Sequence, residues 1–374
     1  MHQNTLKIGN FGDLAVYTIC LLLIITIKNK GVINMNIKKI GMTALAASLV
    51  SVSANAAELT ASGGASINGT LYSGKDVDYG KSFSMGNNVT FTGSGETENG
   101  LTVSLSFELD QAKGANGGPF DNQSVTVASD ALGTLKFSGH GGASAASAID
   151  TTAAGDIWDS FDTTNFGPDL DLVTGRNSGL TAVYKGAVAT SAAGNNSMMY
   201  TAPEMMDGLS VNLSYTPHAT SSGITGGKSG MGYGVTYTGL DGLTASYANT
   251  DIESHTAGAV GEQTVIDLSY AYGPVTVGYS VNEYDVATAV DDQDTTSYSV
   301  SYTVSENLSV TYGYEEIESG VAGDQDAEYT KVSASYTSGG VTLSAAAAQA
   351  ENIDYSSNAE ADVDMYTVGA SFAF

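Results

Sequence analysis

The chain has 374 residues, with 13 Lys and Arg against 40 Asp and Glu, a formal charge of −27 at pH 7. Such an acidic excess argues against nucleic acid as a partner and against adhesion to anionic lipid. With 45 Gly and 21 Tyr but only 5 Pro and one Cys, the composition is that of a β protein without a disulfide framework.

The N-terminal part is not expected to belong to the fold. From Met35 the chain reads Met-Asn-Ile-Lys-Lys, then an apolar run from Ile40 to Val52, then Ala54-Asn-Ala56. A basic start, a short apolar core and an A-x-A site predict a secretory signal peptide over 35–56, cleaved after Ala56. Residues 1–34 carry a second apolar run, Leu14–Ile27, that is short for a membrane span. They are expected to be a mis-assigned start extension ahead of Met35; the alternative is an N-terminal anchor. The discarded segment holds 5 of the 13 bases, one of the 40 acids and Cys20. That leaves 8 bases against 39 acids, a charge of −31, in a domain spanning 57–374. No later apolar stretch approaches helix-spanning length, so any membrane crossing must be made by strands.

The first predicted strand covers Leu59–Tyr72, followed by an acidic link at Ser73–Gly80 and a strand at Asn88–Gly93. In Leu101–Leu109, positions 101, 103, 105, 107 and 109 are apolar and Thr102, Ser104, Ser106 and Glu108 fall between them. That period of two predicts one greasy and one polar face. Short turns then alternate with long links. The turns are Glu96–Gly100, Ser129–Leu132, Ala202–Gly208, Gly239–Gly242, Gly273-Pro274, Val304–Asn307 and Ser338–Gly340. Long links follow Gln111, His140, Thr216, Asp251, Tyr284, Ile317 and Asn352. With Ser73–Gly80 these make fifteen connections, short on one rim and long on the other, which predicts an all-β, 16-stranded antiparallel transmembrane barrel. Strands restart after the turns in one manner, as in Gly208-Leu-Ser-Val and Asn307-Leu-Ser-Val, and climb to Tyr215, Tyr247, Tyr279 and Tyr312. Tyrosines there suit an interfacial aromatic girdle. Gly179–Gly186 also starts like a strand, so 18 strands is the alternative; we read it as a strand-like piece within a loop.

The last stretch, Met365–Phe374, alternates with Tyr366, Val368, Ala370, Phe372 and Phe374 on one face. A closed sheet needs such a strand to pair with its first. This ending resembles the terminal strand of outer-membrane barrels, and the resemblance implies that Tyr366, Phe372 and Phe374 form the signal read by the barrel-assembly machinery. Asn195–Tyr215 resembles the N-S-x-x-Y-x-x-P-x-x-x-G-h-x-h-x-x-x-Y hairpin (h apolar) of general diffusion porins, where it forms strands six and seven. Gly133–Gly139 resembles their fifth strand, leading into the constriction loop. The chain is similar over essentially all of 57–374 to that Gram-negative family, most of all its alphaproteobacterial members. The resemblance implies a homotrimer in the outer membrane passing small hydrophilic solutes. The chain departs from the family in its one Arg, Arg176, which sits inside the presumed loop. An arginine cluster on the wall is therefore missing.

The link from about 139 to 194 is far longer than the others and is expected to fold into the lumen. It carries Asp150, Asp156, Asp159, Asp162, Asp169 and Asp171 as expected constriction residues. In Asp156–Asp162 the carboxylates recur at i, i+3 and i+6, so a short helix would offer them to the channel and lay Ile157 and Phe161 on the wall. Strand phase assigns Lys136, His140, Glu108, Asp267 and Lys331 to the pore wall, since a base at mid-depth on the lipid face costs about 2–4 kcal/mol. Carboxylates lining a narrow aqueous pore favour cations. The expected function is passive, cation-preferring diffusion; the alternatives are a channel selective for one cationic nutrient and a non-channel surface adhesin. Acidic runs expected in outer loops, Asp291–Asp294, Glu315–Glu318, Asp324–Asp326 and Asp362–Asp364, suit diffuse Ca²⁺ or Mg²⁺ binding without a defined metal site. No cofactor is expected. Nor is catalysis: beyond the leader the histidines are His140, His218 and His255, and no local motif sets one beside an activated Ser.

Overall fold

The computed structural model describes residues 58–374 except 75–79, 111–119, 162–195, 218–226, 255–260, 287–291, 322 and 356–361. Expectations on the leader, Asp162, Asp169, Asp171, Arg176, Gly179–Gly186, His218 and His255 fall outside the described residues. Within them the strands are β1 (Glu58–Gly74), β2 (Gly80–Glu96), β3 (Thr102–Asp110), β4 (Gln123–Ser129) and β5 (Gly133–His140). After the long loop come β6 (Ser197–Thr201), β7 (Leu209–Thr216), β8 (Gly227–Tyr237), β9 (Leu243–Ser254), β10 (Gly261–Tyr272) and β11 (Val275–Val286). β12 (Gln293–Ser305), β13 (Leu308–Ser319), β14 (Ala327–Ser338), β15 (Val341–Glu351) and β16 (Val363–Ala373) complete the series. Each strand pairs antiparallel with the next, and β16 pairs with β1, so the sheet is a closed 16-stranded barrel.

Closure satisfies every strand's backbone groups without water, which is what a hydrocarbon surround demands. The alternation then sorts side chains. Outward positions carry Leu59, Phe83, Met85, Tyr247, Tyr279, Tyr298, Tyr312, Tyr366 and Val368, all exposed. Inward positions are Ser, Thr, Gly and Ala for the most part, as on β12, where Thr295, Ser297, Ser299 and Ser301 alternate with Thr296, Tyr298, Val300 and Tyr302. The short turns need left-handed backbone: Gly208 and Gly242 have φ of 73° and 75°, where a side chain would also strike the next hairpin.

Three expectations change. β2 begins at Gly80, eight residues earlier than Asn88, because Phe83 and Met85 already alternate outward opposite Gly69 and Ile67 of β1. Glu315–Glu318 is not loop but the upper part of β13, with Glu315 and Ile317 facing inward and fully buried. The acidic runs expected in loops at 291–294 and 362–364 reach into strands, since β12 starts at Gln293 and β16 at Val363, so Asp294 and Asp364 belong to the wall. The anticipated partner of the last strand is confirmed: β1 and β16 run in register from Gly64 opposite Ala373 to Gly74 opposite Val363.

Candidate pore constriction

The chain leaves β5 through a bulge. Ser124 faces Ser138, but Gln123 faces His140, so Gly139 and His140 together oppose one residue. His140 thereby departs from the strict alternation that assigned it to the pore wall. Its Nδ1 is buried with no hydrogen-bond partner among the described residues. Gly141 turns the chain with φ 66°, and Ser144 and Ser147 close the next turn on each other's hydroxyls at 2.9 Å.

From there residues 145–161 run along the inner wall, strand after strand. Ala145 N–H donates to Ser214 Oγ of β7 at 2.9 Å, and Ala146 N–H to Thr250 Oγ1 of β9 at 3.1 Å. Ala153 N–H donates to Ser280 Oγ of β11 at 2.8 Å, and Ser280 returns its proton to Thr151 O at 3.2 Å. Ala154 N–H donates to Ser297 Oγ of β12 at 2.9 Å. At the tip, Ile157 N–H and Trp158 N–H donate to the two oxygens of Glu315 on β13, at 2.8 and 3.0 Å. A non-helical segment inside a barrel has no ladder of its own, so the wall supplies acceptors for it. Each hydroxyl bond is worth about 1 kcal/mol net, and each bond to the carboxylate about 1.5–3 kcal/mol.

The tip is a 3-10 turn, Trp158–Phe161, shorter than the helix expected but of the same facing. Ile157 and Phe161 are buried in an apolar cluster with Tyr72, Ile317, Tyr329, Val363 and Met365, from β1, β13, β14 and β16. Phe161 lies 5.8 Å from the Tyr329 ring, and Tyr72 Oη donates to Ser160 O at 3.0 Å. Asp156 and Asp159 point away from this cluster and are exposed. Thr152 Oγ1 donates to Asp156 Oδ1 at 2.8 Å and accepts from Asp156 N–H at 2.8 Å, which fixes Asp156 at φ 49°.

Asp150 sits earlier on the loop, within electrostatic reach of Asp267 on β10 and of Asp156. Desolvation by the surrounding protein pushes the Asp150 carboxyl above the usual range; the Thr152 N–H opposes this and the Asp156 charge adds to it. On the wall, Glu108 shares the inward phase of β3 and is clamped by Asn88 Nδ2 at 2.6 Å and Asn122 Nδ2 at 2.8 Å. Asp267 and Lys331 fall on the inward phases of β10 and β14. Lys136 is inward and exposed on β5, which in the closed order lies eight strands from β13, where the tip docks. Among the described residues, no group of three or more His, Cys, Asp or Glu is arranged to hold a metal. Glu315, which anchors the tip, escapes a reading by composition; its signal is that Tyr312 and Tyr314 set an outward phase, leaving 315 and 317 inward.

The whole barrel resembles solved porins. It superposes on a porin refined at 1.8 Å with TM-score 0.57 and 19% identity, covering 85% of this chain and 100% of that one. An anion-selective porin from Comamonas acidovorans gives 0.56 and 15%, again over 85% and 100%. OmpF of Salmonella typhi, solved with daunomycin, gives 0.59 and 15%, over 85% and 98%. At such identities these likenesses speak for the fold alone. No curated protein matches the chain. The family model described as Gram-negative porin matches residues 41–336, most of the sequence, and the chain belongs to that family of outer-membrane channel proteins.

Proposed function

We propose that the barrel is a cation-preferring diffusion channel for small hydrophilic solutes. The observation that carries this reading is the charge of the lumen. Asp150, Asp156 and Asp159 on the described loop, with Asp267 and Glu108 on the wall, stand against Lys136 and Lys331. Fixed carboxylates in a narrow aqueous passage concentrate cations and repel anions. Reversal potentials across a planar bilayer in a salt gradient test it: a potential of cation-selective sign is expected, and an anion-selective sign overturns the reading. No observation among the described residues favours a single-nutrient channel or an adhesin.

We further infer that the barrel works as a homotrimer and that its last strand is the handle taken by the assembly machinery. Phe374 completes the β1 ladder through Gly63, with N–H to O distances of 3.1 and 3.0 Å, and its ring covers the space a Gly63 side chain would fill. Deleting Phe374 should lower the yield of barrels in the membrane severalfold while the barrels that form keep wild-type conductance. Undiminished yield would count against the handle.

A further inference from the structure

The loop lies flush on the wall because of what the wall lacks. Gly234 of β8, Gly278 of β11 and Gly313 of β13 all face inward beneath it. A Cβ on Gly313 would stand 2.8 Å from Ala154 Cβ, 3.1 Å from Ile157 Cδ1 and 3.3 Å from Ala154 O. On Gly278 it would stand 3.1 Å from Ala153 Cβ, 3.5 Å from Ala153 O and 2.9 Å from Ser299 Oγ; on Gly234, 3.6 Å from Ala145 O. None of the three has the positive φ that favours glycine, so space and not backbone freedom is the reason for the residue here. The loop answers with its own small side chains, Ala145, Ala153 and Ala154. The hydroxyls of Ser280 and Ser297 and the Glu315 carboxylate hold the same segment by hydrogen bonds of 2.8–2.9 Å from Ala153, Ala154 and Ile157. These bonds hold the loop against the wall, and the glycines allow it to arrive.

We propose that Gly313, with Gly278, is a positioning residue that sets the width of the channel. By presenting no side chain, it lets residues 153–157 sit about one methyl group deeper in the wall, and the passage is wider by that depth. Packed interiors pass on such a displacement, since a Cβ pair at 2.8 Å must separate to ordinary contact near 3.5–4 Å. The separation can only take the loop into the lumen, because the strand is pinned on both sides by β12 and β14. The inference rests on the barrel being an open channel.

The test is unit conductance of the full-length protein refolded into planar bilayers. Gly313→Ala should conduct less per channel, on the order of a fifth less, with ion preference retained. Adding Ala154→Gly to it removes the nearest opposing atom and should restore part of the lost step, since the contacts with Ile157 Cδ1 and Ala154 O remain. Gly69→Ala serves as the control: that glycine lies between Phe83 and Val368 on the outward face of β1, and a Cβ there meets only Val368, at 3.9 and 4.0 Å. Its conductance should not change. If Gly313→Ala assembles poorly, Ala154→Val places the excess on the loop, leaves the strand intact and should lower conductance in the same way. Unchanged conductance in both Gly313→Ala and Ala154→Val overturns the proposal. So does a loss that Ala154→Gly leaves wholly in place, or an equal loss in Gly69→Ala. Absence of any step from the wild-type protein would instead overturn the channel reading itself.

Discussion

Two arcs of the barrel share one inward alphabet of Ser, Thr and Gly and put it to different uses. Along β7–β14 the inward residues Ser214, Thr250, Ser280, Ser297 and Glu315 are buried, each holding a backbone N–H of the loop. Along β2–β5 the inward residues Ser84, Asp110 and Lys136 stay exposed to the lumen. The first arc is a template for the loop; the second is left uncovered by residues 145–161. A polar inward face is thus no sign of a pore lining until it is known which side of the barrel the loop has taken.

The comparison breaks most sharply at Glu315. Replacing it with Ala orphans the Ile157 and Trp158 N–H groups and removes two bonds worth about 1.5–3 kcal/mol each. Single-channel records should then show frequent partial closures and a lower voltage threshold, while the barrel still assembles; quiet wild-type steps would mean the tip is held by its apolar cluster alone. On the open arc, Lys136→Glu should raise the cation-to-anion permeability ratio roughly twofold without added noise, because no bond from residues 145–161 of the loop touches it. Reversal potentials with noise spectra separate the two responses, and noise in Lys136→Glu would blur the arcs into one. The smallest effect is that of pH. Asp150 lies above the ordinary carboxylate value of 3.8, so its charged form is disfavoured in place and it takes up a proton earlier as pH falls. Cation preference should therefore begin to decline at a pH above that value. In Asp150→Asn the onset should move to lower pH and the neutral-pH preference should be slightly weaker. An identical titration in the variant would remove Asp150 from the permeation path.

The architecture was legible because membrane strands carry a rigid rule: alternate positions meet lipid, and turns on one rim must be short. Glycines at 100, 208 and 242 mark turns whose left-handed backbone few other residues accept. The loop's docking was not legible to the same degree. A serine that holds a loop N–H, such as Ser297, and one that faces water look alike in sequence. Glu315 hid among Glu316 and Glu318, whose outward positions at the top of β13 resemble a solvated loop. Gly313 reads as an ordinary strand glycine until Ala154 is seen above it. What carried through from spacing was the facing of the tip: Ile157 and Phe161 toward the wall, Asp156 and Asp159 away from it. The start of β2 was hidden by the polar residues around Phe83 and Met85.

The pairing of β1 with β16 also bears on how the molecule comes into being. Gly64 and Ala373 lie at opposite ends of the described chain, so their contact carries the largest loop-closure penalty of any strand pair. Until it forms, both end strands keep an unpaired edge that hydrocarbon does not tolerate. Ring closure removes both of those edges at once, so the two ends of the chain must be brought together before either end strand is fully satisfied in the bilayer.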